Sequence, residues 1–174
     1  TADVVAALGL NLRDLYHAPA PTRDEWLPNR LQFVAAYDYH DAAGELLFQV
    51  VRALDPAGRK SFVQRHPDPA KPSGWCYKVR DCLGARRHIP WRLPKVLDAM
   101  GRGESIWVVE GEKDAEALGR LGVVATCNAG GAGKWLPEHA EWLKGARVVV
   151  SRDMDAPGAK HQAEVAASLA GGAA

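Results

Sequence analysis

Two short acidic segments lie about forty residues apart, each directly after an apolar run typical of a buried strand. The first contains Glu110 and Asp114, and the second contains Asp153 and Asp155. In a parallel sheet the carboxyl ends of the strands open onto one crevice, so acids distant in sequence can converge there. Clustered carboxylates repel one another unless a cation neutralises them, and an all-oxygen set suits Mg²⁺ or Mn²⁺. The pattern therefore predicts a divalent-metal site formed by these four acids.

A purely structural interpretation of the same acids stays open. Asp153 and Asp155 can cap the helix that follows them, and residues 110–114 can form a solvated face, because acids are favoured at helix starts. In extended geometry, however, Asp153 and Asp155 share one side of the chain and can ligate one or two ions. The presence of both acidic segments in one chain favours the metal site.

The elements that would position these acids follow from apolar periodicity. After Pro94 the pattern predicts a helix near residues 95–100, strands at 105–109, 123–126 and 147–151, and helices at 112–121, 134–143 and 157–170. Alternating strands and helices predict a parallel sheet with right-handed crossovers. Upstream, apolar runs at 33–39, 45–52, 60–65 and 75–79 predict a small antiparallel sheet.

These elements divide the chain into three predicted segments. Residues 1–30 are a helical and proline-rich lead-in, residues 31–95 a basic antiparallel β subdomain with some helix, and residues 96–174 an α/β domain. Because three strands make a thin sheet, we expect the α/β domain to be truncated at its C-terminus.

Composition limits the class of protein. The chain has 174 residues, 47% of them hydrophobic, without an apolar run near the roughly 18 residues of a membrane span. Its N-terminus lacks the pattern of a signal peptide. Its three cysteines are an odd number, which excludes a complete disulfide framework and favours a reducing compartment. We therefore expect a cytoplasmic protein with free thiols and no membrane partner.

The net charge of +1 conceals a strongly basic middle segment. Residues 59–95 hold 10 Lys or Arg against 2 Asp or Glu, with aromatic residues among them. Cations mixed with aromatics suit nucleic acid, because phosphates take the charge and unpaired bases stack on rings. The candidate nucleic-acid-binding residues are Arg65, Lys78, Arg80, Arg86, Arg87, Arg92, Trp75 and Tyr77. A solvated basic face with partly buried aromatics is the alternative.

Three motifs make a family resemblance recognisable. They are Val-Glu-Gly-Glu-Lys-Asp-Ala at residues 109–115, Asn-Ala-Gly-Gly-Ala-Gly-Lys-Trp at 128–135 and Asp-Met-Asp-Ala-Pro-Gly at 153–158. Together they resemble the Toprim domain of phage- and plasmid-type primases and primase-helicases. The segment before it, including residues 37–39 and 92–94, is similar to the segment that precedes Toprim in those proteins. The likeness covers residues 33–170.

The resemblance implies a fold and a set of site residues. It implies a Rossmann-like parallel sheet with helices on both faces. It makes Glu110 a metal ligand or general acid or base, and Asp153 and Asp155 ligands of the divalent ion, so that all three are catalytic. Asp114 matches the acid that follows the glutamate in primase-like members. Arg152 departs from the small residue or proline expected before the aspartate pair.

A glycine-rich loop before Lys134 offers a phosphate-binding group. Residues 128–135 fail the Walker pattern, because Asn128 stands at the first glycine position and Trp135 at the final Ser or Thr position. A loop that brings Lys134 to the crevice as a point charge for phosphate fits better, with a plain surface lysine as the alternative. Lys113, Arg152 and Lys160 are further phosphate-binding candidates.

The functional hypothesis is a primase-type catalytic core. It would use Mg²⁺ or Mn²⁺ to join NTPs into short primers on a single-stranded DNA template, with a helicase module or partner lying outside this stretch of chain. A Toprim nuclease, which needs the same acids but attacks phosphodiesters with water, is one alternative. A non-catalytic module that binds single-stranded nucleic acid is another.

Zinc is not favoured by the sequence. His66, Cys76, Cys82 and His88 contain neither a CxxC pair nor closely spaced histidines. Ordinary core or surface roles are the expectation for these four residues.

Overall fold

A computed structural model describes residues 27–171 of the chain. The predicted helices of residues 1–17 lie outside this range, as does most of the proline-rich lead-in. The described residues fall into two units, residues 27–87 and residues 88–171. Each unit is built on its own sheet, one of four strands and one of three.

The first unit contains the predicted antiparallel sheet. A short 3-10 helix, Pro28–Arg30, precedes strands β1 (Gln32–His40), β2 (Leu46–Leu54), β3 (Lys60–Pro67) and β4 (Trp75–Cys76), which pair in the order β1-β2-β3-β4. Helix α1 (Val79–Leu83) and a 3-10 helix, Gly84–Arg87, follow. The strand predicted at 75–79 is therefore shorter than expected, because the buried Val79 begins a helix instead.

Side-chain alternation sets the register of this sheet. Tyr39 on β1 and Phe48 on β2 are direct partners, both fully buried, with ring centroids 4.4 Å apart in a stacked arrangement. On the opposite face, the Gln49 side-chain amide donates to Asp38 Oδ1 at 2.6 Å. A one-residue slip would expose both rings to water, and each buried ring is worth about 1.5–3 kcal/mol.

The second unit contains the predicted alternation of helices and parallel strands. Its elements are α2 (Leu93–Gly101), β5 (Ser105–Val108), α3 (Glu112–Arg120), β6 (Ala125–Thr126), α4 (Pro137–Glu141), β7 (Arg147–Val150) and α5 (Ala156–Gly171). The sheet has the order β6-β5-β7, and both pairings are parallel. The mixed α/β class expected from the sequence is thus confirmed.

Helix α4 is shorter than the helix predicted at residues 134–143. Leu136 adopts extended backbone angles (φ −126°, ψ 153°), and Pro137 occupies the first turn of the helix. A residue before proline is disfavoured in helical conformation by clash with the proline ring, which explains the late start. The backbone N–H of Leu136 instead donates to His139 Nδ1 at 3.0 Å.

The core of the second unit holds the central strand in place. Ile106 and Val108 are fully buried in a cluster whose other buried members are Val96, Ala99, Val124, Trp135, Ala140, Leu143 and Val165. Beyond the strand, the Val109 N–H donates to the Thr126 carbonyl and the Ser151 N–H to the Val108 carbonyl, both at 2.9 Å. The carboxyl ends of β5, β6 and β7 are therefore fixed beside one another.

Within residues 27–171, none of the helices has the length and apolar character required to cross a membrane.

Candidate functional site

The two acidic segments meet at the carboxyl ends of β5 and β7. Glu110 follows β5 and Asp153 follows β7, and the Asp153 N–H donates to Glu110 Oε1 at 3.2 Å across 43 residues of sequence. The pairing of β5 with β7 causes this meeting, because the Ser151 N–H still bonds to the Val108 carbonyl beyond the strands. The side chain of one acidic segment thus contacts the backbone of the other.

Gly158, in the first turn of α5, lies against the same acids. A Cβ atom at Gly158 would stand 2.5 Å from both the Asp153 carbonyl oxygen and Glu110 Oε1, and 3.0 Å from Asp155 Oδ1. Real Cβ atoms do not approach oxygen so closely. A residue without a side chain is therefore required here for α5 to start beside Glu110.

Asp155 caps helix α5. The Gly158 N–H donates to Asp155 Oδ1 at 2.8 Å, three residues on, which is the N-cap pattern. Asp155 therefore has a structural role at the helix start, and its predicted role as a metal ligand stays a prediction. Its carboxylate still adds negative charge to the edge where Glu110 and Asp153 meet.

Asp114, on the first turn of α3, is electrostatically coupled to both segments. Burial raises the pKa of its carboxyl, the charges of Asp153 and Glu110 raise it further, and Lys113 opposes them. Within residues 27–171, however, the four acids contain no set of three whose oxygens all lie within 4.8 Å of one another. The four acids lie at one edge of the sheet, but their oxygens do not converge on a single point.

This donor set fits a hard divalent cation. All four side chains are carboxylates, and Mg²⁺ in proteins is often held by only one or two carboxylates while keeping several waters. A loose group of acids at an open edge meets that requirement. A cavity of about 680 Å³ opens elsewhere, between α4, β7 and α5, and none of the four acids lines it.

The glycine-rich loop passes beside Glu110. A Cβ atom at Gly131 would stand 3.6 Å from the Glu110 carbonyl oxygen, and Gly131 has a φ of 71°, which glycine adopts without strain. The buried Asn128 side chain donates to the Gly131 carbonyl at 2.9 Å. Lys134 is exposed, and its Cγ lies over Gly130. The loop therefore brings a lysine to the neighbourhood of the acids.

The other predicted phosphate-binding residues are placed differently. Lys113 is exposed beside Asp114, and Arg152 is half-buried directly before Asp153. Lys160 forms an ion pair with Glu164 at 3.8 Å, one turn along α5. Of these three, Lys113 and Arg152 adjoin the acids in sequence.

His161 was not singled out by the sequence analysis. Its side chain is 1% exposed, and neither ring nitrogen has a hydrogen-bond partner among residues 27–171. Burial lowers its pKa, although Glu110 and Glu164 act to raise it. The spacing of Gly158, His161 and Val165, all buried, marks the inner face of α5 and could have identified this histidine.

We expect His161 to make stability pH-dependent. Because its folded pKa lies below its ordinary value of 6.5, the unfolded chain binds more protons as pH falls below about 6.5. The free energy of unfolding should therefore fall in that window, by at most about 1.4 kcal/mol per pH unit. The free energy of unfolding, measured by urea denaturation in the presence of a metal chelator, should depend less on pH in His161→Leu than in wild type. Identical profiles would contradict this assignment.

Two arginines of the basic segment are buried to different degrees and stack on aromatic rings. Arg65 is 4% exposed, its Nε donates to Gln49 Oε1 at 2.8 Å, and its guanidinium lies 4.1 Å from the Trp75 ring centroid. Arg92 is half-buried and stacks on Trp91 at 4.0 Å, and burial lowers its pKa. The Arg65 side chain therefore packs against Gln49 and Trp75 within the first unit, and its nucleic-acid-binding role stays a prediction.

The remaining nucleic-acid-binding candidates of the first unit are exposed or half-buried. Lys78, Arg80 and Arg86 are exposed, whereas Arg87, Trp75 and Tyr77 are half-buried. Phe62 on β3 is 56% exposed, and its direct partner on β2 is Arg52. Neither Phe62 nor Arg52 was among the predicted nucleic-acid-binding residues.

No protein-family model, curated protein or solved structure matches this chain.

Proposed function

We propose that this chain is the catalytic core of a Toprim-type primase, which joins NTPs into short primers on a single-stranded DNA template. The observation that carries the proposal is the contact between Glu110 and the Asp153 backbone at 3.2 Å. It joins two acidic segments at the carboxyl ends of parallel strands, where ligands of open α/β sheets bind. The motifs of these segments are those that resemble Toprim, whose Rossmann-like sheet with helices on both faces we propose for residues 96–174.

The acids would hold the divalent ion that this chemistry needs. Glu110, Asp114 and Asp153 are the proposed ligands, one or two of them directly and the rest through bound water, and Asp155 adds charge while capping α5. When bound, Mg²⁺ or Mn²⁺ lowers the pKa of the attacking hydroxyl and neutralises charge on the phosphates. The carboxyl of Asp114, whose pKa is raised by burial and by the neighbouring acids, would ionise more readily beside a cation.

The chain's own residues would handle the proton and the phosphates. Glu110 would accept the proton of the primer 3′-hydroxyl, whose oxygen attacks the α-phosphorus of the incoming NTP while pyrophosphate leaves. Lys134, on the glycine-rich loop, and Arg152 would offset the charge of the triphosphate. Lys113 is a third cation at this edge, placed to limit the repulsion between Asp114 and its neighbours.

The first unit would bind the template strand. Lys78, Arg80 and Arg86 are exposed cations for backbone phosphates, and Phe62 is an exposed ring on which a base can stack. This combination suits a single strand, because a duplex keeps its bases stacked internally. A helicase module or partner would supply the unwound template, in the cytoplasmic setting that three free cysteines favour.

A primer-synthesis assay tests the proposal. The full chain is incubated with Mg²⁺, a circular single-stranded DNA without ends to extend, and labelled NTPs. Short products that require all three components are expected. Strand cleavage that occurs without NTPs would instead assign a nuclease. Template binding that is weakened by salt, needs no metal and yields no product would assign a non-catalytic binding module. The acid Asp155 would then have only its structural role of capping α5.

A further inference from the structure

A histidine and two cysteines gather in the first unit, although they are distant from the acids in sequence. His66 lies on β3, Cys76 on β4 and Cys82 on α1, and one ligand atom from each lies within 4.8 Å of the other two. His66 and Cys76 are direct partners in the antiparallel pairing of β3 with β4. The turn into α1 at Val79 then brings Cys82 back to this strand pair.

The distances suit a tetrahedral metal ion. The Cys76 and Cys82 sulfurs are 3.9 Å apart. Two thiolates bound to one tetrahedral Zn²⁺, each with a Zn–S bond of about 2.3 Å, are separated by about 3.8 Å. A disulfide needs about 2.05 Å between the sulfurs, so both cysteines are free thiols here.

A second observation points to a ligand at this place. Nε2 of His66 is buried and has no hydrogen-bond partner among the described residues. A buried polar atom without a partner is costly, and such atoms often mark a missing water or ion. An imidazole beside two thiols is a donor set that binds Zn²⁺ well and Mg²⁺ poorly.

We propose that His66, Cys76 and Cys82 form a zinc-binding site, separate from the acidic site and independent of the proposed function. Each thiol would release its proton to solvent as it coordinates. The fourth position is open to water. The ion would fasten α1 to the β3–β4 pair.

Metal analysis of the full chain tests the site directly. After treatment with chelator and a thiol reductant, wild-type protein should take up one Zn²⁺ per chain. Cys76→Ser and Cys82→Ser should each lose that zinc. Cys127→Ala, which removes the cysteine outside the cluster, should retain it. The proposal would be overturned if wild type and Cys127→Ala both failed to take up zinc. It would also be overturned if all four proteins took up equal amounts.

Cobalt binding and alkylation provide readouts that leave the three proposed zinc ligands unchanged. Co²⁺ bound to this site should show a thiolate-to-cobalt charge-transfer band in the near ultraviolet, which carboxylate ligands do not produce. The band should persist in Glu110→Gln, because this substitution changes the acidic site and leaves the three zinc ligands intact. The two proposed sites can therefore be tested separately. Zn²⁺ should also protect two of the three wild-type thiols from alkylation. The absence of both the band and the protection would overturn the proposal.

Discussion

Replacing Glu110 by glutamine is expected to slow primer synthesis by about 10²–10⁴-fold, the range contributed by a positioned general acid or base. Glutamine has the same size, and its Oε1 can still accept the Asp153 N–H, which lies 3.2 Å away in the wild type. The change therefore removes the charge while keeping the contact between the acidic segments. The measurement is the initial rate of NTP incorporation at saturating Mg²⁺ and template.

Glu116→Gln is the matched control for this variant. Glu116 lies on α3 and pairs with Arg120 at 3.7 Å at the helix surface, so the substitution makes the same charge change away from the strand ends. Surface changes of this kind usually alter stability by less than about 0.5 kcal/mol, and synthesis should be unaffected. A Glu110→Gln protein that is folded by circular dichroism and synthesises at the wild-type rate would remove Glu110 from the mechanism.

Replacing Gly158 by alanine is expected to reduce synthesis by at least about 10²-fold, because a displacement near 1 Å at a reacting centre has effects of that size. The new Cβ would lie 2.5 Å from the Asp153 carbonyl oxygen, and a backbone atom cannot move aside as a flexible side chain can. Either α5 or the segment after β7 must therefore shift. Overpacking of this kind should also lower the free energy of unfolding by about 1–3 kcal/mol.

Gly101→Ala provides the comparison, because Gly101 ends helix α2 and an added Cβ there meets nothing within 4 Å. Its free energy of unfolding should stay unchanged or rise by about 0.4–1 kcal/mol, since alanine restricts the unfolded chain. The two glycine variants should thus change stability in opposite directions in urea unfolding. A Gly158→Ala protein as stable and as active as wild type would contradict the close approach of α5 to Glu110.

Features that depend on neighbouring residues were predictable from the sequence. Apolar runs identified β1 and β2, and apolar runs followed by acids identified the ends of β5 and β7, because such runs reflect the local burial of a strand. The meeting of Glu110 with the segment of Asp153 followed from one topological rule. The late start of α4 was predictable in principle, since Pro137 disfavours a helical Leu136.

Features that depend on register or burial were not predictable in this way. Charge counting treated Arg65 as a surface cation, whereas its place on β3 directs it under Trp75. The cluster of His66, Cys76 and Cys82 has no local spacing signature, because it requires the pairing of β3 with β4 and the turn into α1. Composition reports how many groups are present, and only the fold determines which of them meet.

The strand order β6-β5-β7 also has a consequence for biosynthesis. The central strand is made first, and both of its neighbours emerge from the ribosome later. A nascent chain that has reached only β6 carries Glu110 without the Asp153 segment that follows β7, and such long-range pairing is slow because a long loop must close first. The acidic edge can therefore form only after β7 and the first turn of α5 have been synthesised.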